Sequence, residues 1–330
     1  MQRFGIIGGG AWGTALAQAL RRAGRDVVLW ALEAETVAAI NRDHANPFFL
    51  PGIALDPAIA ATTDLAALRD CDGLLLAAPA QHVRAICRAL ASILAGAVPV
   101  VICAKGLEEN SGALLSEIVA EILPQAPLAI LSGPTFAAEV ARGLPTAVTL
   151  ATADAELGHR LIAASGSRAF RPYLSPDVAG AQIGGAVKNV MAIACGVVMG
   201  RGFGDNARAA LITRGLAEMV RLALAKGGKA ETLMGLSGLG DLTLTCTSLQ
   251  SRNHSLGVAL GRGEGLAQFL AARRSVAEGV SSAAAAATLA RRLDIDMPIV
   301  FAVDAILHRG AAIDRVIEEL LARPFKSEGE

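Results

Sequence analysis

Lysine is scarce in this 330-residue chain, five against twenty-five arginines, so where the lysines fall carries information. Lys188 sits inside an apolar helical pattern, with Ala186 and Val187 before it and Val190 and Met191 just beyond Asn189. Two readings fit: a side chain that snorkels to the helix edge, or an ammonium held away from water. Desolvation lowers a lysine pKa toward neutrality, which would make Lys188 usable as a general acid or base. Lys105 directly follows an apolar strand pattern, and two lysines sharing one cleft would depress each other's pKa. Asn189, in the same apolar helix, needs polar partners. Asp241 follows a glycine-rich stretch read as a flexible loop; it is either a helix N-cap or an acceptor for Lys188 or for a substrate hydroxyl. Ser251, Arg252, Asn253 and His254 form a compact donor set, in which Arg252 can grip a phosphate through two parallel N–H bonds. Glu278 adds a lone carboxylate between small residues.

A second kind of chemistry is written in backbone. Gly8, Gly10 and Gly13 fall on the G-x-G-x-x-G spacing, between an apolar run over residues 3–7 and a helical pattern from Thr14. Each glycine has a mechanical role, respectively a tight turn out of a strand, close backbone approach to a pyrophosphate, and close packing of helix on strand. The helix N-terminus then offers free N–H groups to the phosphates. Glu33, shortly after the second apolar run (27–30), fits either a ribose contact or a solvated residue opening the next helix.

The elements that must position these groups alternate. Apolar runs at 73–77, 98–103 and 128–131 lie between helical patterns, which predicts a parallel sheet with right-handed crossovers. Each run ends in a loop of unusual residues, 78–82, 104–106 and 132–135, and the three should line one crevice beyond the carboxyl ends of the strands. Two further strands are expected at 147–151 and 169–173, and a helix start with Ser175 as N-cap and Pro176 in the first helical position. Beyond that only helical periodicity remains, ending in an amphipathic helix over 313–322 and a polar tail from Lys326. The fold class is therefore α/β: a Rossmann-like doubly wound domain over residues 1–177, followed by an all-α domain over 178–330, with the site at their junction.

Composition narrows the function classes. The chain is 53% hydrophobic with only 4% aromatics, so packing rests on small and aliphatic side chains. Net charge is zero, which leaves no global field to recruit nucleic acid or an acidic membrane. The cysteines, five in number and widely spaced, show neither metal spacing nor a disulfide framework and suit a reducing compartment. With the first strand beginning at once, a cytoplasmic location is expected. The apolar stretch at 178–199 is broken by Gln182, Lys188 and Asn189, and reads as a buried helix rather than a membrane span.

Taken in order, the blocks Gly8 to Gly13, Lys105-Gly106-Leu107-Glu108, Ser132-Gly133-Pro134-Thr135, Lys188-Asn189, Gly240-Asp241, Ser251-Arg252-Asn253 and Glu278-Gly279 resemble the bacterial NAD(P)-dependent glycerol-3-phosphate dehydrogenases over nearly the full length. The resemblance implies interconversion of dihydroxyacetone phosphate and sn-glycerol 3-phosphate, the glycerol backbone of phospholipids. By motif, Lys188 would exchange the proton, with Lys105, Asp241, Asn189 and Thr245 beside it. Substrate would be held by Lys105, Gly133, Thr135, Lys188, Asp241, Ser251, Arg252 and Asn253. Gly8, Gly10, Ala11, Trp12, Gly13, Leu32, Glu33, Lys105, Ala137, Arg252, Val276 and Glu278 would hold NAD or NADP. Ala11 stands where relatives often have Ser, and Thr135 replaces a common Ser but keeps the hydroxyl. Many relatives carry a basic residue soon after the second strand; Ala31-Leu32-Glu33 has none, and Glu33 would repel a 2′-phosphate, which favours NAD. A homodimer is implied at the family level. Two rivals stand beside this reading: a β-hydroxyacid dehydrogenase acting on another small substrate, and a dinucleotide sensor without turnover.

Overall fold

The computed structural model describes residues 1–271, 277–325 and 327. The polar tail expected from Lys326 lies almost wholly outside them. The N-terminal half contributes ten strands: β1 (Arg3–Ile7), β2 (Asp26–Trp30), β3 (Ala45–Asn46), β4 (Leu50–Ala54), β5 (Ala60–Thr62), β6 (Gly73–Leu76), β7 (Val100–Ile102), β8 (Leu128–Ser132), β9 (Thr146–Ala151) and β10 (Phe170–Ser175). Its helices are α1 (Ala11–Arg22), α2 (Ala34–Asp43), α3 (Val83–Ala91), α4 (Leu115–Ile122), α5 (Ala137–Arg142) and α6 (Ala155–Ser165). Eight strands form one sheet in the order β10-β9-β8-β7-β6-β1-β2-β5, while β3 and β4 pair separately. Alternation along the strands feeds two cores. Phe4, Ile6 and Leu75 pack on one face of the sheet, and Ile7, Leu74 and Leu76 on the other.

The sheet departs from the expected all-parallel arrangement at one place. From β8 to β5 in that order the strands run parallel, but β9 is antiparallel to β8, and β10 follows β9. The connection explains the reversal: α5 has six residues and rises only about 9 Å. That is roughly half the length of a five-residue strand, too short for a crossover, and the chain turns back at Gly143, whose φ is 79°. The predicted helix start also moves. Ser175 is the last residue of β10, and Asp177 caps the next helix by accepting Gly180 N–H at 2.8 Å. The other Asp177 oxygen accepts Lys229 N–H at 2.8 Å, a second bond that a serine hydroxyl could not add from Ser175.

Beyond β10 the described residues form only helices and turns: α7 (Val178–Gly200), α8 (Gly204–Ala225), α9 (Ala230–Leu233), α10 (Asp241–Thr247), α11 (Arg252–Gly261), α12 (Leu266–Ala271), α13 (Glu278–Arg292), α14 (Pro298–His308) and α15 (Ile313–Leu321). Among the described residues α7 is the one helix long and apolar enough to cross a membrane, yet it is the buried centre of the helical core. It meets α11 at backbone contact. A Cβ on Gly196 would fall 2.2 Å from the His254 carbonyl oxygen, and one on Gly257 would fall 2.1 Å from that of Ile193. Small residues on both sides therefore let α11 lie directly against α7, which fixes the N-terminus of α11 relative to Lys188.

Candidate active site

Three loops at the carboxyl ends of parallel strands converge. Gln81, after β6, staples the loop after β7: its Nε2 donates to Leu107 O at 2.9 Å and its Oε1 accepts Glu109 N–H at 2.9 Å. Lys105, in that second loop, reaches the loop after β8, donating to Gly133 O at 2.8 Å and to Thr135 Oγ1 at 3.1 Å. Gly185 lets it pass over α7, since a Cβ there would fall 2.7 Å from Ser132 Oγ and 3.5 Å from Lys105 Cγ.

The third donor of Lys105 goes to Asp241 Oδ2 at 2.8 Å, and Lys188 Nζ donates to the other oxygen, Oδ1. One wholly buried carboxylate thus bridges both lysines. Asp241 does not sit in an open glycine loop. A π-helical turn over Leu236–Gly240 leads into α10, of which Asp241 is the first residue, so its position is set by regular backbone. Nor does Lys188 snorkel: it is 5% exposed, and it also donates to Thr245 Oγ1 at 2.9 Å. Thr245 donates in turn to the Asp241 carbonyl at 2.6 Å, which aims its lone pair at the ammonium. Burial lowers the Lys188 pKa to about 8, with Asp241 opposing the shift and Lys105 adding to it.

An ammonium has three donors. Those of Lys105 all go to Gly133, Thr135 and Asp241, whereas Lys188 spends two, on Asp241 and Thr245. Among the described residues Lys188 therefore keeps one N–H for a further acceptor.

Asn189 Oδ1 accepts from Asn253 Nδ2 at 2.9 Å, and Asn253 Oδ1 accepts Gly279 N–H at 3.0 Å. This chain of amides joins α7, α11 and α13 beside the lysines. Ser251 is the N-cap of α11, accepting His254 N–H at 3.2 Å, and Arg252 opens that helix at an exposed edge. Enough protein surrounds Arg252 for desolvation to lower its pKa, with Glu278 acting in the opposite sense. Glu278 opens α13 beside Gly106, and burial pushes its carboxyl up to about 7 against the pull of the Ala80 backbone and Arg252. Val276 lies outside the described residues.

The glycine turn adjoins this cluster. Gly8 has φ 120°, and a Cβ there would fall 2.8 Å from Ala78 N; one on Gly13 would fall 1.9 Å from Gly8 O. Gly10, by contrast, faces open space. Ala11 and Trp12 open α1, whose N-terminus points over that space, and the Trp12 indole donates to Cys103 O at 3.1 Å, tying the turn to the end of β7. Ala137 opens α5, which packs along α1. Leu32 and Glu33 are exposed after β2, where Glu33 holds the N-cap position of α2 without a side-chain cap bond. A cradle closed to side chains at Gly8 and Gly13 and open at Gly10, on a helix N-terminus, fits a dinucleotide pyrophosphate.

Comparison with known proteins agrees with this geometry. The family model for the N-terminus of NAD-dependent glycerol-3-phosphate dehydrogenase matches residues 3–158, and that for its C-terminus matches residues 177–318. A Rhodospirillum rubrum glycerol-3-phosphate dehydrogenase (NAD(P)+) is 59% identical over 330 residues, covering 100% of this chain and 95% of that protein. One from Caulobacter vibrioides is 56% identical over 327 residues, covering 99% of each. The solved structure of glycerol-3-phosphate dehydrogenase from Coxiella burnetii superposes with a TM-score of 0.94 at 39% identity, over 98% of this chain and 99% of that one.

Proposed function

The chain belongs to the NAD-dependent glycerol-3-phosphate dehydrogenase family, and from that premise we propose that it interconverts dihydroxyacetone phosphate and sn-glycerol 3-phosphate, residues 1–177 holding NAD(H) and residues 178–330 most of the substrate. A bound dihydronicotinamide supplies the hydride taken by the substrate carbonyl carbon. Lys188 directs its spare N–H at the carbonyl oxygen and delivers the proton as that oxygen gains charge; in the oxidative direction the neutral amine takes the proton back. A lysine that titrates near 8 gives up or accepts a proton at little cost at neutral pH.

Asp241 holds the ammonium in place and keeps it charged against burial, and Thr245 fixes its direction. Lys105, with no donor to spare, orients the Gly133 to Thr135 loop along the substrate and brings a second positive charge to the site. The phosphate dianion is held by Arg252 and the first N–H groups of α11, where a helix N-terminus and a guanidinium favour the same charge. Asn189 and Asn253 orient the hydroxyls.

The free N–H of Lys188 within the buried lysine-carboxylate bridge carries this reading. The reaction would supply the backbone of glycerophospholipids. An exposed Glu33 with no neighbouring base favours NAD over NADP, and a homodimer in a reducing cytoplasm completes the assignment. The direct test mixes purified protein with dihydroxyacetone phosphate and, separately, NADH and NADPH, and follows loss of the reduced nicotinamide absorbance. Oxidation dependent on the phosphorylated substrate is expected, faster with NADH. No oxidation by folded, dinucleotide-binding protein would point to another hydroxyacid or to a sensing role.

A further inference from the structure

The short β3–β4 hairpin has no part in the chemistry above, yet it places a fully buried amide against the glycine turn. Asn46 Nδ2 donates to Gly9 O at 2.8 Å and to Thr14 Oγ1 at 2.8 Å, while its Oδ1 accepts Phe49 N–H at 3.2 Å. Thr14, wholly buried in the second turn of α1, also directs its hydroxyl at Gly9 O, at 3.4 Å. Two donors from different elements therefore hold a single carbonyl. A residue serving only the hairpin would need the bond to Phe49 and no more.

The peptide plane makes that carbonyl matter. All peptide bonds in the described residues are trans, so the C=O of Gly9 and the N–H of Gly10 point in opposite directions. With Gly9 O turned inward to Asn46 and Thr14, the N–H of Gly10 is turned outward, and among Gly8, Gly9, Gly10 and Gly13 it is Gly10 that has open space around it. Gly9 packs closely on the end of β2, where a Cβ would fall 2.5 Å from Ala31 Cβ, so no side chain fits at this peptide.

We infer that Asn46, assisted by Thr14, is a positioning residue for the dinucleotide, fixing the Gly9–Gly10 peptide so that the Gly10 N–H is presented to the pyrophosphate. The inference rests on the dinucleotide reading of the turn and assigns it a residue 37 positions from Gly9. An unfixed peptide could rotate and offer the phosphates a carbonyl oxygen, which repels them, so the amide removes a conformational cost of binding.

Direct binding of NADH and of ADP-ribose to the whole protein, by fluorescence or calorimetry, tests it without turnover. Asn46→Asp keeps the acceptor for Phe49 but replaces the donor with an oxygen facing Gly9 O. Its dissociation constants for both ligands should rise by roughly tenfold, with kcat at saturating NADH and the KM for dihydroxyacetone phosphate near those of the parent. Thr14→Val, a gentler change of similar shape, should move both constants in the same direction by a smaller factor, and it decides the matter if Asn46→Asp does not fold. Unchanged dissociation constants in folded variants, or a rise in substrate KM as large as the rise for NADH, would overturn the positioning role. Failure of the parent protein to bind either dinucleotide would instead overturn the reading on which the inference rests.

Discussion

The glycine turn and the lysine bridge adjoin, tied where Trp12 donates to Cys103 O two residues before Lys105, but they are made of different parts. The turn occupies consecutive residues from Gly8 to Gly13 and works through main-chain N–H groups and through the absence of side chains. The bridge consists of side-chain atoms, with Lys188 and Lys105 lying 53 and 136 positions from Asp241. A site of the first kind fails when atoms are added. A site of the second kind fails when a charge is removed, and the two should therefore be damaged independently.

Lys188→Met should produce the largest effect. The thioether fills the space of the lysine stem, and Asp241 retains Lys105 as partner, so the fold persists. If Lys188 is the proton donor proposed above, turnover should fall by about a hundredfold or more, an increase of roughly 3 kcal/mol in the barrier. The dissociation constant for NADH, read by fluorescence, should stay where it was. Near-normal turnover would remove Lys188 from the chemistry, and a large loss of NADH affinity would show the two regions to be one. Gly13→Ala probes the opposite half. The new Cβ, 1.9 Å from Gly8 O, forces the turn open. NADH affinity should drop by more than about tenfold, while the substrate constant measured at saturating NADH changes little.

The contrast also decides what could be read in the chain beforehand. The turn was legible because strand, glycines and helix are contiguous and each has its own periodicity. The apolar neighbours of Lys188 and the rarity of lysine singled it out but left burial and snorkelling both open, and the structure settles on burial. That a single Asp241 bridges both lysines was not, because long-range contacts leave no periodic trace and a glycine-rich approach reads as a loop rather than a π-turn. Asn46 was missed for a related reason: it lies in a two-residue strand next to Pro47, where a polar residue looks like surface. The reversal at β9 escaped because strand direction is set by the length of the connection, and the sequence pattern of α5 does not reveal where so short a helix ends.

A smaller effect, and one graded by pH, sharpens the side-chain half. On the proposed mechanism Lys188 serves the reductive direction as its ammonium, whose fraction falls as pH rises through about 8. The kcat/KM for dihydroxyacetone phosphate should therefore decline above that pH, and the oxidative reaction, which needs the free amine, should rise through the same region. Asp241 raises the Lys188 pKa against burial, so Asp241→Asn should move both limbs to lower pH. Limbs that stay in place would mean that the titrating group is not Lys188. Gly13→Ala, which touches only backbone, should leave them unmoved.

The smallest expected effect tests whether the cofactor half depends on side chains at all. Glu33 is exposed and makes no cap bond to α2, so Glu33→Gln removes a charge without disturbing packing. If that charge repels a 2′-phosphate, the ratio of NADPH to NADH dissociation constants should shift toward NADPH by about two- to fivefold, with NADH itself unchanged. An exposed charge acts through water, so the shift should shrink as ionic strength rises. A ratio that moves and responds to salt places selectivity in one side chain laid over a backbone cradle. A ratio that does not move leaves selectivity to the shape of the rim after β2, and the cofactor half would then be a backbone site throughout.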